Sequence, residues 1–198
     1  LSVSRKSTGI THPKFKEYIV KDFLELKEGD EKLQGYDACL FCAGVSSVGM
    51  KEEKYTRITY DTTLNFAKAL TPNPSMSFVY VSGAGTDSSE KGRVMWARVK
   101  GKTENDLMKL PFKQVFAFRP AFMKATAGQK NLPQWYNILS WLYPVLKTFF
   151  PKTANTLSQV GQAMIYASQR GYEKNIITVK DITILAGGAS AAATGKVK

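Results

Sequence analysis

Three short apolar runs, residues 38–43, 78–81 and 115–118, are separated by two segments with helical periodicity. Residues 52–70 place Tyr55, Ile58, Thr62, Leu64 and Phe66 at helical intervals before Thr71-Pro72-Asn73-Pro74 stops them. Residues 94–110 form the second such segment and end at Pro111. Strands alternating with helices predict an α/β protein with a doubly wound parallel sheet. Upstream, residues 1–4 read as the tail of a strand. Residues 15–20 read as another strand, closed by Lys21-Asp22-Phe23, and residues 27–33 as a short helix or turn before Gly35. Downstream, residues 158–167 begin with a polar cap and carry Val160, Met164 and Ile165 at helical spacing. Residues 176–179 and 182–185 read as two extended runs. Residues 187–198 have little to bury and are expected to be disordered.

A length of 198 residues, with 43% hydrophobic and 22% charged, suits one globular domain, expected over residues 1–186. Within it, residues 131–157 are rich in aromatics, among them Trp135, Tyr136, Trp141, Tyr143, Phe149 and Phe150. That segment reads either as a substrate-side wall or as ordinary packing. Its most apolar part, residues 135–150, is interrupted by Pro144 and Lys147 and falls short of the ~20 residues of a membrane span. Residues 1–5 lack the apolar core of a secretory signal. Cys39 and Cys42 stand in C-x-x-C spacing, but with His12 they offer too few ligands for a closed zinc site. They read as buried strand residues in a reducing, cytoplasmic compartment, and no metal is expected.

The net charge of +12 raises the question of anionic partners. The cations are scattered, however: Arg5, Lys6, Lys14, Lys16 and Lys21 at one end, then Lys91, Arg93, Arg98, Lys100 and Lys102. No basic helix or aromatic-interleaved basic tract emerges, so a solvated surface is favoured over specific nucleic-acid binding. Peripheral membrane contact is the minor alternative.

Ligands of doubly wound sheets bind at the carboxyl ends of the strands, and five such ends carry suggestive residues. Arg5 and Lys6 follow the first; a guanidinium there can grip a ribose 2′-phosphate, or simply be solvated. Asp22 and Phe23 follow the second. They can serve an adenine edge, the carboxylate accepting from its amino group, or Asp22 can cap a turn. Cys42-Ala43-Gly44 closes the third, where a glycine lets backbone approach a ligand or makes a plain turn. Ser82 closes the fourth, and Trp96 and Lys100 follow it on one helix face. This is the spacing of a Tyr-x-x-x-Lys oxidoreductase site with an indole in place of the phenol. A phenol can relay a proton, and an indole cannot. Phe118-Arg119-Pro120-Ala121 closes the fifth, where Pro120 and Ala121 can line a nicotinamide or Arg119 can be a buried structural residue.

In this order the motifs resemble an atypical short-chain dehydrogenase/reductase of the NAD(P)-binding Rossmann superfamily, in the branch related to the human Tat-interacting protein. The matching stretches are Ser4-Arg5-Lys6, Val20-Lys21-Asp22-Phe23, Gln34-Gly35-Tyr36-Asp37 into Cys42-Ala43-Gly44, Arg57-Ile58-Thr59-Tyr60-Asp61, Val81-Ser82, Val99-Lys100-Gly101 and Phe118-Arg119-Pro120. The resemblance implies a Rossmann-like fold and NADP rather than NAD as cofactor. Arg5 and Lys6 would meet the 2′-phosphate, and Asp22 and Phe23 the adenine. Cys42, Ala43 and Gly44 would pass the ribose and pyrophosphate, with Pro120 and Ala121 beside the nicotinamide. Ser82 and Lys100 would be catalytic, with Trp96 in the tyrosine's place. An oxidoreductase-derived protein follows, reductase- or epimerase-like toward a carbonyl or sugar-like small molecule, with catalysis weakened or lost. The alternative is a non-enzymatic, cofactor-sensing regulator that uses a protein partner. The family's opening strand and glycine-rich turn have no counterpart among the 198 residues. A fragment or a misplaced start is therefore expected ahead of a truly shortened, non-binding homologue, because two apolar strand edges would be left exposed.

Overall fold

The computed structural model describes residues 1–126 and 154–193. Its centre is a four-stranded parallel sheet made of β3 (Ala38–Phe41), β4 (Ser77–Val81), β5 (Gln114–Phe118) and β8 (Ile176–Ile177), in the order β3-β4-β5-β8. Parallel neighbours need crossovers, and these are helical. Between β3 and β4 run α1 (Glu52–Thr56), a π-helical turn (Arg57–Asp61) and α2 (Thr62–Ala69) in unbroken succession. Helix α3 (Met95–Leu107) links β4 to β5, and α4 (Leu157–Arg170) precedes β8. Helix α5 (Val179–Ala193) follows it.

The central strands are buried on both faces, which is why they read as apolar runs rather than alternating ones. Phe78, Val79, Phe116 and Phe118 are fully buried. Phe78 and Phe41 face α2, packing with Phe66, Leu70 and Leu107. Val79, Phe116 and Phe118 face the other way onto α4 and α5, against Val160, Met164, Ile177 and Ile182. Each such side chain stabilises the fold by about 1.5–3 kcal/mol relative to exposure.

A second, two-stranded parallel sheet joins β1 (Ser2–Ser4) to β2 (Glu17–Ile19), in register Val3 with Tyr18. Among the described residues, β1 pairs only with β2, and β3 pairs only with β4. The two remaining edges flank a groove of about 150 Å³, lined by Leu1 and Val3 on one side and by residues from Ala38 to Ala43 on the other. Phe23, Phe66 and Leu70 form part of its lining. The two apolar edges expected from the sequence are therefore present, with Leu40 41% exposed. A third short pair joins β6 (Phe122–Lys124) to β7 (Ala154–Thr156).

Four expectations are corrected. Residues 182–185 are helical, not extended. Their β-branched Ile-Thr-Ile reads as strand, but Thr178 and Asp181 start a helix through reciprocal hydrogen bonds. The Thr178 N–H and hydroxyl donate to the Asp181 carboxylate at 3.0 and 2.6 Å, and the Asp181 N–H donates back to Thr178 Oγ1 at 3.5 Å. Helix α5 also continues to Ala193, past Gly187 where composition placed the end of order. Its small residues permit close approach to α4, since a Cβ on Gly188 would lie 3.1 Å from the Tyr166 ring. The cap of α4 is Thr156, in a capping box with Gln159, rather than Ser158. Cys42 lies beyond β3 and is exposed, whereas Cys39 is half-buried within the strand; loss of water pushes the Cys39 thiol well above its ordinary range. The aromatic segment falls mostly on residues outside those described. Among the described residues, no helix is long and apolar enough to cross a membrane.

Candidate functional site

The strand ends that point the same way gather two groups of side chains. The first lies where β1, β2 and β3 end. A cavity of about 310 Å³ is lined by Arg5, Lys21, Asp22, Phe23, Leu24, Phe41, Ala43, Gly44, Val45, Arg57, Ile58 and Thr62. Arg5, Asp22, Phe23, Ala43 and Gly44 thus come together as the sequence implied. Lys6 and Cys42 do not line this cavity. Lys6 is exposed past β1, its carbonyl accepting from the Ser4 hydroxyl at 2.7 Å. Cys42 lines the neighbouring groove between β1 and β3, which shares Phe23, Phe41 and Ala43 with the cavity.

Local folding explains what each side chain can offer. Asp22 caps a short 3₁₀ turn at Phe23–Glu25, its Oδ1 accepting from the Leu24 N–H at 2.9 Å while its backbone carbonyl accepts from Glu25 at 3.1 Å. The capping role weighed from the sequence is therefore real, and Asp22 also lines the cavity. The Phe23 ring packs edge-on against Phe66, with centroids 5.6 Å apart. Asn65 holds this turn by donating to the Phe23 and Leu26 carbonyls at 2.8 and 3.0 Å. At Gly44 a Cβ would meet no atom within 4 Å, so the backbone there borders open space.

The second group surrounds the ends of β4 and β5. The Lys100 ammonium donates to the Ser82 backbone carbonyl. Burial pushes the Lys100 pKa below its ordinary value, with the Glu104 carboxylate opposing part of that effect. The Ser82 hydroxyl, itself buried, donates to the Phe118 carbonyl at 3.1 Å. Ser82 and Lys100 are thus brought together. Trp96, one turn before Lys100, sets its indole against Gly85, where a Cβ would lie 3.5 Å from the ring. The Pro120 carbonyl accepts from the Ala84 N–H at 2.8 Å, which ties the two strand ends together. Ala121 is exposed beside it.

A loop over residues 84–93 is clamped along one stripe of α3. The Asp87 N–H donates to the Ala97 carbonyl at 3.0 Å, and Asn105 donates to the Ser88 carbonyl at 3.0 Å. Between them, Gly101 lets the Asp87 carbonyl sit directly on the helix; a Cβ would lie 2.5 Å from its carbon. Across the helix the fully buried Glu104 carboxylate takes two hydrogen bonds from Arg119, whose Nη2 also reaches the Ser88 hydroxyl at 2.5 Å. Arg119, for which the sequence left a structural role open beside a nicotinamide-lining strand end, is the strut joining β5, α3 and this loop.

Sequence reasoning missed Lys21, Arg57, Ile58 and Thr62 as cavity residues. Lys21 and Arg57 stood inside quoted motifs, so the signal was present but unassigned. The face that Arg57 presents depends on the π turn, which no residue pattern in 52–70 announced.

No family model matches the chain. Protein FMP52, mitochondrial, of Candida albicans is 28% identical over 145 residues, covering 69% of this chain and 58% of that protein. Two UDP-N-acetylglucosamine 4-epimerases share the fold. The enzyme from Methanobrevibacter ruminantium, solved with UDP-N-acetylmuramic acid, superposes with a TM-score of 0.60 at 15% identity, over 88% of this chain and 66% of that one. The Bacillus cereus enzyme gives 0.58 at 13% identity, over 92% and 72%. The chain has their Rossmann-like parallel α/β architecture, and spans less than two thirds of the length of the curated relative.

Proposed function

We propose that this chain is the dinucleotide-holding part of an atypical short-chain dehydrogenase/reductase, in the Tat-interacting-protein-like branch, and that it takes NADP. The observation that carries the reading is the cavity at the ends of β1, β2 and β3. It combines cations, a carboxylate, an apolar wall and a bare backbone at Gly44. These suit, in turn, a phosphorylated ribose, an adenine amino group, an adenine face and a sugar–phosphate backbone. The fold shared with nucleotide-sugar epimerases supports the same placement of ligand at the strand ends.

The bound cofactor would supply hydride chemistry at its nicotinamide ring. The chain's own residues would position that ring and a carbonyl. Lys100, held over the end of β4, would bond a ribose hydroxyl, and Ser82 would bond a carbonyl oxygen once its hydroxyl turns from Phe118. No proton donor stands at position 96, so turnover of a carbonyl or sugar-like substrate would be slow or absent. Titration of the chain with NADPH, followed by its fluorescence, tests the reading. The expected result is saturable binding weakened by Arg5→Ala and Gly44→Val. No change at millimolar cofactor would overturn it.

Trp96 favours a second reading, a non-enzymatic cofactor sensor. Its indole fills the space over Gly85 without offering a transferable proton. Partner recovery from pull-downs would then change with NADPH, and recovery indifferent to NADPH would count against sensing.

A further inference from the structure

Arg57 owes its position to a break in helical phase. Residues five apart stand about 140° apart around an ideal α-helix, on different faces. Here the Thr62 N–H and its hydroxyl both bond the Arg57 carbonyl, the hydroxyl at 3.1 Å, closing a π turn over Arg57–Asp61. Arg57, Ile58 and Thr62 consequently line one cavity. Single π turns inside helices recur at functional sites.

The charges at this cavity are unbalanced. Arg5 arrives from the end of β1, Lys21 from the end of β2 and Arg57 from the π turn, against the single carboxylate of Asp22. Two cations of the neighbouring α3 have acidic partners, Arg98 with Glu52 at 2.7 Å and Lys102 with Asp106 at 2.8 Å, whereas Lys54 and Lys68, on the same helical run as Arg57, form no ion pair among the described residues. Among the described residues no ion pair involves Arg5, Lys21 or Arg57. Three like charges around one concavity repel each other unless an anion joins them. A phosphomonoester carries about −1.5 to −2 charge at neutral pH and three acceptor oxygens. A planar guanidinium meets such a group with paired donors.

We infer that Arg57, with Arg5 and Lys21, grips a phosphomonoester on the ribose of a bound adenosine, and that Arg57 is the residue selecting 2′-phosphorylated over unphosphorylated dinucleotides. Ile58, Val45 and Leu24 supply the apolar part of the same wall, so phosphate and base are read side by side. The inference rests on the cofactor reading above and adds to it a specificity-determining residue.

The test uses two probes that differ only in the 2′-phosphate, 2′,5′-ADP and 5′-AMP, titrated calorimetrically into the chain and its variants. Arg57 is exposed, so Arg57→Ala should fold, with circular dichroism as the check. Arg57→Ala is expected to weaken 2′,5′-ADP about ten- to hundredfold, the value of a charged hydrogen-bonded contact, and to leave 5′-AMP nearly unchanged. Arg57→Lys should recover part of the loss. Lys54→Ala, a nearby cation that does not line this cavity, should change neither probe. Equal losses for both probes would assign Arg57 to the base or to structure and overturn the inference alone. An Arg57→Ala chain indistinguishable from the parent would do the same. A parent chain that binds neither probe would overturn the cofactor reading and this inference with it.

Discussion

Removing Glu104 should damage the fold far more than its single carboxylate suggests. Glu104 is 1% exposed, and its side chain is wholly buried against Arg119, whose side chain is 17% exposed. The pair shares two hydrogen bonds, one of 3.1 Å from Nε, and Arg119 continues to Ser88. Taking one partner from a buried ion pair costs about 3–5 kcal/mol, because the survivor keeps its desolvation penalty and loses its counter-charge. For a chain of this size that corresponds to a fall in melting temperature of roughly 6–20 °C. Arg119→Ala should be at least as damaging as Glu104→Ala. It strands a carboxylate with no access to water, whereas a stranded guanidinium can hydrate through its exposed edge. The double variant should be far less destabilised than the sum of the singles. Thermal melts of the four proteins decide the matter. Single variants that melt within a degree of the parent, or costs that add, would refute the reasoning that this pair is a buried, coupled strut.

Three further outcomes follow. Gly101→Ala should force the Asp87 loop off α3, cost about 1–3 kcal/mol, and be visible as lower melting temperature and raised protease cleavage within residues 84–93. Burial raises the Asp181 pKa, but hydrogen bonds from Thr178, Lys174 and Tyr172 outweigh it and hold it at about 2. The folded value lies below the unfolded value of about 3.9, so its contribution, about 2 kcal/mol, is present above pH 4 and lost as pH falls toward 2. Asp181→Asn should therefore flatten the acid limb of a denaturation series. In hydrogen exchange, amides of β4 and β5 should be slowest and those of the two-stranded pairs β1–β2 and β6–β7 fastest among the described strands, because each of these pairs has described partners on one side only.

The fold was readable because the central strands are buried on both faces. Runs such as Phe78–Val81 and Val115–Phe118 have no other good use in a chain of this length. Helix ends were less legible. At Thr178 and Asp181 a capping exchange outweighs the β-branched run that follows, and in the small-residue stretch after Leu185, which looks disordered in composition, Gly188 packs against Tyr166. The site was half legible. Arg5, Asp22, Phe23 and Gly44 stand at strand ends, where order along the chain predicts proximity. Arg57 lies in a helix, and its face is set by hydrogen bonds from Thr62 that hydrophobic periodicity does not encode. Glu104 has no signature in the sequence, because its partner lies across a sheet-to-helix contact rather than on the same helix.

The most direct test of the account is an amide NMR titration, first with 2′,5′-ADP and then with NADP. The account predicts that the adenosine probe shifts Asp22, Phe23, Gly44 and Arg57 and leaves Ser82, Gly85 and Lys100 in place. The full dinucleotide should shift both groups together. Shifts confined to scattered surface lysines, or none at millimolar ligand, would contradict the claim that these strand ends form a dinucleotide site.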